Sequence, residues 1–99
     1  MTKKRFAIMI QDRSFIKVDG HVSGFFGLHR SATDPRWYNV THLLTGLRVV
    51  GFEYQKQAKA FIEKANETDW HVSWDTSDKK KLKQNGALVT QLESLILKG

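Results

Sequence analysis

Apolar and polar positions change their rhythm near residue 54: before it apolar residues come in short runs or alternate with polar ones, and after it they recur three and four apart. Runs and alternation fit strands, whereas recurrence near 3.6 residues fits helices. Phe6 to Ile10 is too short for a helix and rich in β-formers, which predicts a first strand ending at Gln11-Asp12-Arg13-Ser14. Asp19-Gly20 lies between Ile16-Lys17-Val18 and His21-Val22-Ser23, and Asp-Gly between alternating residues predicts a tight hairpin turn because both residues tolerate positive φ. Gly24 and Gly27 then interrupt the returning strand, Phe25 to Arg30 forms another, and Ser31 to Arg36, carrying Asp34-Pro35, forms a loop.

Trp37 to His42 and Leu47 to Phe52 are dense in β-branched and aromatic residues and are separated by four residues that include Thr45-Gly46, which predicts an antiparallel hairpin. A four-residue loop sets His42 opposite Leu47, Val40 opposite Val49 and Tyr38 opposite Gly51 on one face. It sets Thr41 opposite Arg48, Asn39 opposite Val50 and Trp37 opposite Phe52 on the other. Val40, Val49 and Leu47 then mark the core side, and Arg48, Thr41 and Asn39 form a polar face able to meet a ligand.

Tyr54, Ala58, Phe61, Ile62 and Ala65 stack on one helical stripe, and the helix ends in the polar stretch Asn66 to Asp69. Trp70, Val72 and Trp74 alternate with His71 and Ser73, a short extended segment with its indoles on the core. Asp75-Thr76-Ser77-Asp78 is rich in capping residues, and Leu82, Leu88 or Val89, Leu92, Leu95 and Ile96 carry a second helical period, interrupted by Gly86. The predicted fold is α+β: an antiparallel sheet of three to five strands, one helix at about 54–66 packed on it, and a C-terminal helix at about 78–98. The second helix covers an edge or the same face, and its amphipathic stripe equally suits pairing with its copy in a homodimer. No linker or repeat divides the 99 residues, so one domain with a basic N-terminal arm at 1–5 is expected.

Sixteen Lys and Arg against ten Asp and Glu give a net charge of +6. The excess lies at the two ends: residues 1–30 hold six basic and two acidic residues, and residues 70–99 hold five and three. Such a charge is the footprint of a protein that meets polyanions or an acidic protein surface, though Lys-rich flanks also serve solubility alone. Cysteine is absent, which excludes disulfides, thiol nucleophiles and cysteine-ligated zinc and suits a reducing cytoplasm. Neither a membrane-spanning apolar run nor a signal-peptide pattern is expected.

Hydrolase, phosphate-loop and dinucleotide motifs are missing. His21, His29, His42 and His71 stand alone, without metal-ligand spacing. His29, His42 and Arg48 are the residue types of a metal-free phosphodiester cleaver, but nothing in the sequence fixes their geometry, and the expectation is a protein without enzymatic activity, metal or cofactor. Trp37, Tyr38 and Phe25 are candidates for stacking on unpaired bases, against the alternative that aromatics build the core of so small a domain.

One stretch carries a resemblance. Phe26-Gly27-Leu28-His29-Arg30, then Trp37-Tyr38-Asn39-Val40-Thr41-His42-Leu43-Leu44-Thr45-Gly46, then a strand ending at Phe52 and a helix with Ala58 and Phe61, resembles short phage and prophage proteins. Their shared pattern is a Leu-His strand, a Trp-x-Val-Thr-His-x-x-Thr-Gly hairpin and an alanine-containing helix. The resemblance spans residues 26 to 65 and implies a phage context rather than a mechanism. A hairpin followed by a helix is also similar in topology to integrase arm-binding and AP2-like DNA-binding domains.

Together these features lead to a small, basic, non-enzymatic nucleic-acid-binding protein of phage or mobile-element origin. Lys3, Lys4, Arg5, Lys79, Lys80, Lys81 and Lys83 would contact phosphates, and Arg30, Arg36 and Arg48 would orient the sheet. The alternative is a phage-encoded inhibitor that blocks a host protein with an acidic or nucleic-acid-binding surface, anchored by Trp37 and Arg48.

Overall fold

In the computed structural model, residues 1–31, 34–67 and 79–98 are described, those at 79–85 by backbone alone. The chain is α+β. Strands β1 (Thr2–Met9), β2 (Phe15–Ser23), β3 (Phe26–Arg30), β4 (Tyr38–His42) and β5 (Arg48–Phe52) form one antiparallel sheet in sequence order, followed by α1 (Gln55–Asn66) and α2 (Lys79–Lys98). The expected Trp70-Val72-Trp74 segment and the cap at Asp75 to Asp78 lie outside the described residues.

Two glycines set the turns. Ser23 pairs with Phe26, leaving Gly24-Phe25 as a two-residue turn with Gly24 at φ 60, the left-handed first position of a type II′ hairpin. In the β4–β5 loop Gly46, at φ 75, donates its N–H to the His42 carbonyl at 2.8 Å. Asp19-Gly20, in contrast, is not a turn. Strand β2 runs straight through it, Asp19 opposite Arg5 and Gly20 opposite Lys4. Gly20 is a close approach instead, since a Cβ there would strike the Leu28 carbonyl oxygen. The β1–β2 connection is the three-residue loop Gln11-Asp12-Arg13, closed by Ile10 and Ser14 backbone bonds of 2.9 Å, with Arg13 at φ 67.

Extended pairing of β1 along β2 also removes the expected N-terminal arm: Lys3, Lys4 and Arg5 belong to β1. Backbone hydrogen bonding to β2 there outweighs the polar side chains. Because β2 pairs with β3 only at His21, Val22 and Ser23, the rest of the β1–β2 hairpin is free to leave the sheet plane. It crosses the sheet face opposite α1, and Met9 N–H reaches the Gly46 carbonyl at 2.8 Å.

The main core lies between sheet and helices. Phe26, Leu28, Val40, Val50 and Phe52 meet Ala58, Phe61, Ile62 and Ala65 of α1 and Val89 of α2, with Leu92 and Ile96 packed against them. The α1 stripe is as its period predicts except for Tyr54, which is exposed and precedes the helix as its N-cap. The α2 stripe turns Val89 inward, leaves Leu95 exposed, and passes Gly86 without a break. Asn66 ties α1 to the β2–β3 turn, its Nδ2 donating to the Ser23 carbonyl (2.9 Å) and its Oδ1 accepting from Phe25 N–H (3.3 Å).

The β4–β5 register holds only near the turn, where Thr41 faces Arg48. One irregularity then shifts it, so Val40 faces Val50, Asn39 faces Gly51 and Tyr38 faces Phe52. Without that extra residue, Val50 and Arg48 would share a face; with it, Val50 and Phe52 enter the core, Val49 and Leu47 pack half-buried against it, and Arg48 stays on the other side.

Candidate functional site

On the face away from α1, β3 and β4 present Gly27, His29, Asn39 and Thr41. Part of this face is sealed. Phe6 and Ile8 are buried there, the Phe6 ring lies over Gly27, where a Cβ would fall 2.6 Å from it, and it meets the His29 ring edge-on at 5.6 Å. His29 is only 3% exposed, and both ring nitrogens are engaged. Its Nδ1 donates to the Arg30 carbonyl (2.8 Å) and its Nε2 accepts from the Thr41 hydroxyl (3.2 Å), the bonding of a neutral imidazole. Burial holds its pKa below the usual value, and the bond to the Arg30 carbonyl only partly opposes this.

Beyond His29 the face opens into a cleft of about 580 Å³. The curled end of the β1–β2 hairpin, Ile8 to Asp12, forms one wall, and His29, Ser31, Asn39 and Arg48 form the other. Past Ser31, Asn39 and Arg48 it continues into a hollow of about 380 Å³ bounded by Asp34 and Trp37. Arg48 is exposed, donates from Nε to Asn39 Oδ1 at 3.1 Å, and spreads over Gly51, where a Cβ would fall 2.5 Å from its terminal nitrogen. Trp37 is 42% exposed. Its backbone is fixed by the Ser31 N–H (2.9 Å) and the Asp34 carbonyl (3.0 Å). Asp12 is also fixed, one carboxylate oxygen accepting from both the Ser14 N–H and hydroxyl, which lowers its pKa.

The basic residues are dispersed. Arg36 is held bidentate by Asp34, with both bonds at 3.1 Å, and this pairing lowers the Asp34 pKa and raises that of Arg36. Arg5 pairs with Asp19 at 3.1 Å across the β1–β2 ladder. Arg30 belongs to the helix-side register of β3, stacks on the Tyr38 ring at 5.3 Å and donates to its hydroxyl at 3.1 Å, so it does not join Arg48. Lys3 and Lys4 are exposed on β1, an edge strand, where charge also discourages pairing with another chain. Lys79, Lys80, Lys81 and Lys83 fall in the first two turns of α2, by backbone alone.

The imagined His29–His42–Arg48 constellation is not assembled. His42 faces the helix side, packing edge-on against Phe26 and bonding Thr45 Oγ1 at 3.0 Å, whereas His29 lies on the opposite face; both are buried. Among the described residues no group of three or more histidines and carboxylates is gathered as a metal site would be, and no helix is long and apolar enough to cross a membrane.

The Val-Thr-His…Thr-Gly stretch acts as a folding device: Val40 in the core, Thr41 on His29, His42 on Thr45, and Gly46 closing the loop. What the sequence did not reveal is the cleft's second wall, Ile10 to Asp12, because only the curl of the hairpin brings it opposite Arg48. The fold and site thus define a small sheet-and-helix domain with an open cleft, one wall largely apolar and the other polar, on the helix-free face of its sheet. No protein-family model, curated protein or solved structure matches the chain.

Proposed function

We propose that this protein binds nucleic acid without catalysing a reaction, as a small basic protein of phage or mobile-element origin. The observation that carries the reading is the pairing of an exposed indole, Trp37, with an exposed guanidinium, Arg48, along one open cleft in a chain of charge +6. Arg48 has neutral Asn39 as its hydrogen-bond partner, so its charge remains available to a phosphate. Lys3, Lys4 and the lysines at 79–83 add sequence-independent attraction, while Arg5 and Arg36, already matched to carboxylates, contribute less.

The test is a titration of labelled DNA, followed by anisotropy at two salt concentrations. Affinity that falls steeply with salt supports the reading; no binding at low salt overturns it. Changing Lys79, Lys80 and Lys81 together to alanine should weaken binding and lower the log–log salt slope by about 2 to 3.

A second reading, an inhibitor that docks on a host protein, is favoured by one feature. Phe15, Phe25 and Leu44 are exposed at 56%, 45% and 82% and gather around the β4–β5 loop, where Phe15 touches Gly46 and Leu43 N–H bonds the Phe25 carbonyl. Exposed apolar clusters of this kind mark protein contacts. Under this reading free DNA binds poorly, and Leu44→Glu abolishes capture of the partner.

A further inference from the structure

Resting on the nucleic-acid reading above, we infer that the cleft is a single-strand site: an unpaired base stacks on Trp37, its phosphate is held by Arg48, and duplex is excluded. The first argument is access. An aromatic side chain can stack only on a base whose face is uncovered, and duplex bases are covered on both sides by their neighbours. Trp37, 42% exposed, borders an open hollow that shares Ser31, Asn39 and Arg48 with the cleft, so its ring can be reached by a base splayed out of a single strand.

The second argument is size. Open spaces of about 580 and 380 Å³, which share Ser31, Asn39 and Arg48 in their linings, have room for one or two nucleotides laid along them. The third is the distribution of polarity along the hollow. Arg48 lies at the junction of the two spaces, where a phosphate between successive nucleotides would pass. Asp12, at the far wall, repels phosphate but accepts hydrogen bonds, and Gln11 and Asn39 supply both donors and acceptors, the complement of a base edge. Ile8 and Ile10 give the same wall an apolar flank for a ring.

The parts are also held in place before any ligand arrives. Asp34 anchors the backbone of Trp37, Asn39 anchors Arg48, and the Asp12–Ser14 bonds stiffen the hairpin tip. Stacking on such a platform therefore costs little ordering.

The experiment compares a labelled twelve-nucleotide DNA strand of mixed sequence with the same strand annealed to its complement, titrated with the intact protein and with Trp37→Ala, Trp37→Phe and Arg48→Ala. Thermal melts establish that each variant is folded. The single strand should bind at least about tenfold more tightly than duplex, and Trp37→Ala should weaken it by about tenfold without changing the salt slope, because a stack releases no counterions. Trp37→Phe should recover most of that loss. Arg48→Ala should lower the single-strand salt slope by about 0.7, the value for one phosphate. Equal affinity for duplex, with Trp37→Ala indistinguishable from the parent, overturns the single-strand site while leaving nucleic-acid binding intact. Failure of the parent to bind either form at low salt overturns both.

Discussion

Asn66 is the last residue of α1, and its amide reaches 43 residues back along the chain to the Ser23 carbonyl and 41 back to Phe25 N–H. Replacing it with alanine removes both bonds at once. Each is worth about 0.5 to 1.5 kcal/mol net, and the 3.3 Å bond to Phe25 falls at the lower end. Alanine returns roughly 0.5 kcal/mol through its better helix propensity, so the expected loss is about 0.5 to 1.5 kcal/mol. For a domain of this size that lowers the melting temperature by about 2 to 12 °C. Asn66→Asp separates the two bonds: the carboxylate still accepts from Phe25 N–H but has no proton for the Ser23 carbonyl, and its charge is unfavourable at a helix C-terminus. It should therefore be no more stable than the alanine variant. Far-UV circular dichroism melts and urea titrations read both, with an unchanged urea slope showing that the denatured state is unaltered. A melting temperature for Asn66→Ala within about 1 °C of the parent would refute the idea that this side chain locks the helix to the turn.

Acid should weaken the fold through His29, whose folded pKa lies below the unperturbed 6.5 because the imidazolium is penalised by burial. The unfolded chain takes up the proton first as pH falls, so this contribution is complete above about 6.5 and is lost below it. His29→Gln should flatten the dependence of the urea midpoint on pH across that window, and parallel curves for parent and variant would place the sensitivity elsewhere. Two backbone positions should respond in opposite directions. Gly46→Ala, at φ 75 with its Cβ 2.7 Å from the Phe15 ring, should cost about 1 to 2 kcal/mol, whereas Arg13→Gly, relieving φ 67, should gain up to about 1 kcal/mol. Gly86→Ala should add about 0.5 to 1 kcal/mol, since α2 passes through that position with no atom within 4 Å of the new Cβ; a lower melting temperature would contradict a continuous helix there.

By itself, the sequence determined the features that depend on neighbours a few residues away. The stripe of Ala58, Phe61, Ile62 and Ala65 specified α1 and its buried face, because a 3.6-residue period leaves no other way to cover those side chains. The Thr45-Gly46 loop specified the β4–β5 hairpin and the polar side shared by Asn39, Thr41 and Arg48, because a left-handed glycine closes only a few loop geometries. Tertiary structure decided the rest. Asp19-Gly20 has the local chemistry of a turn, yet pairing with Lys4 and Arg5 and the press of Leu28 keep it extended. The one-residue shift puts Val50 beside Phe52 in the core and leaves Val49 half-buried against it, and no residue in the sequence marks such a bulge. The cleft depends most on tertiary structure: Asp12 and Arg48, far apart in the chain, become its two walls only because β2 releases β3 after three pairs and the hairpin folds across the sheet. Local periodicity records which side of an element is apolar, whereas a site between elements depends on strand curvature and long-range pairing, which no short stretch of residues encodes.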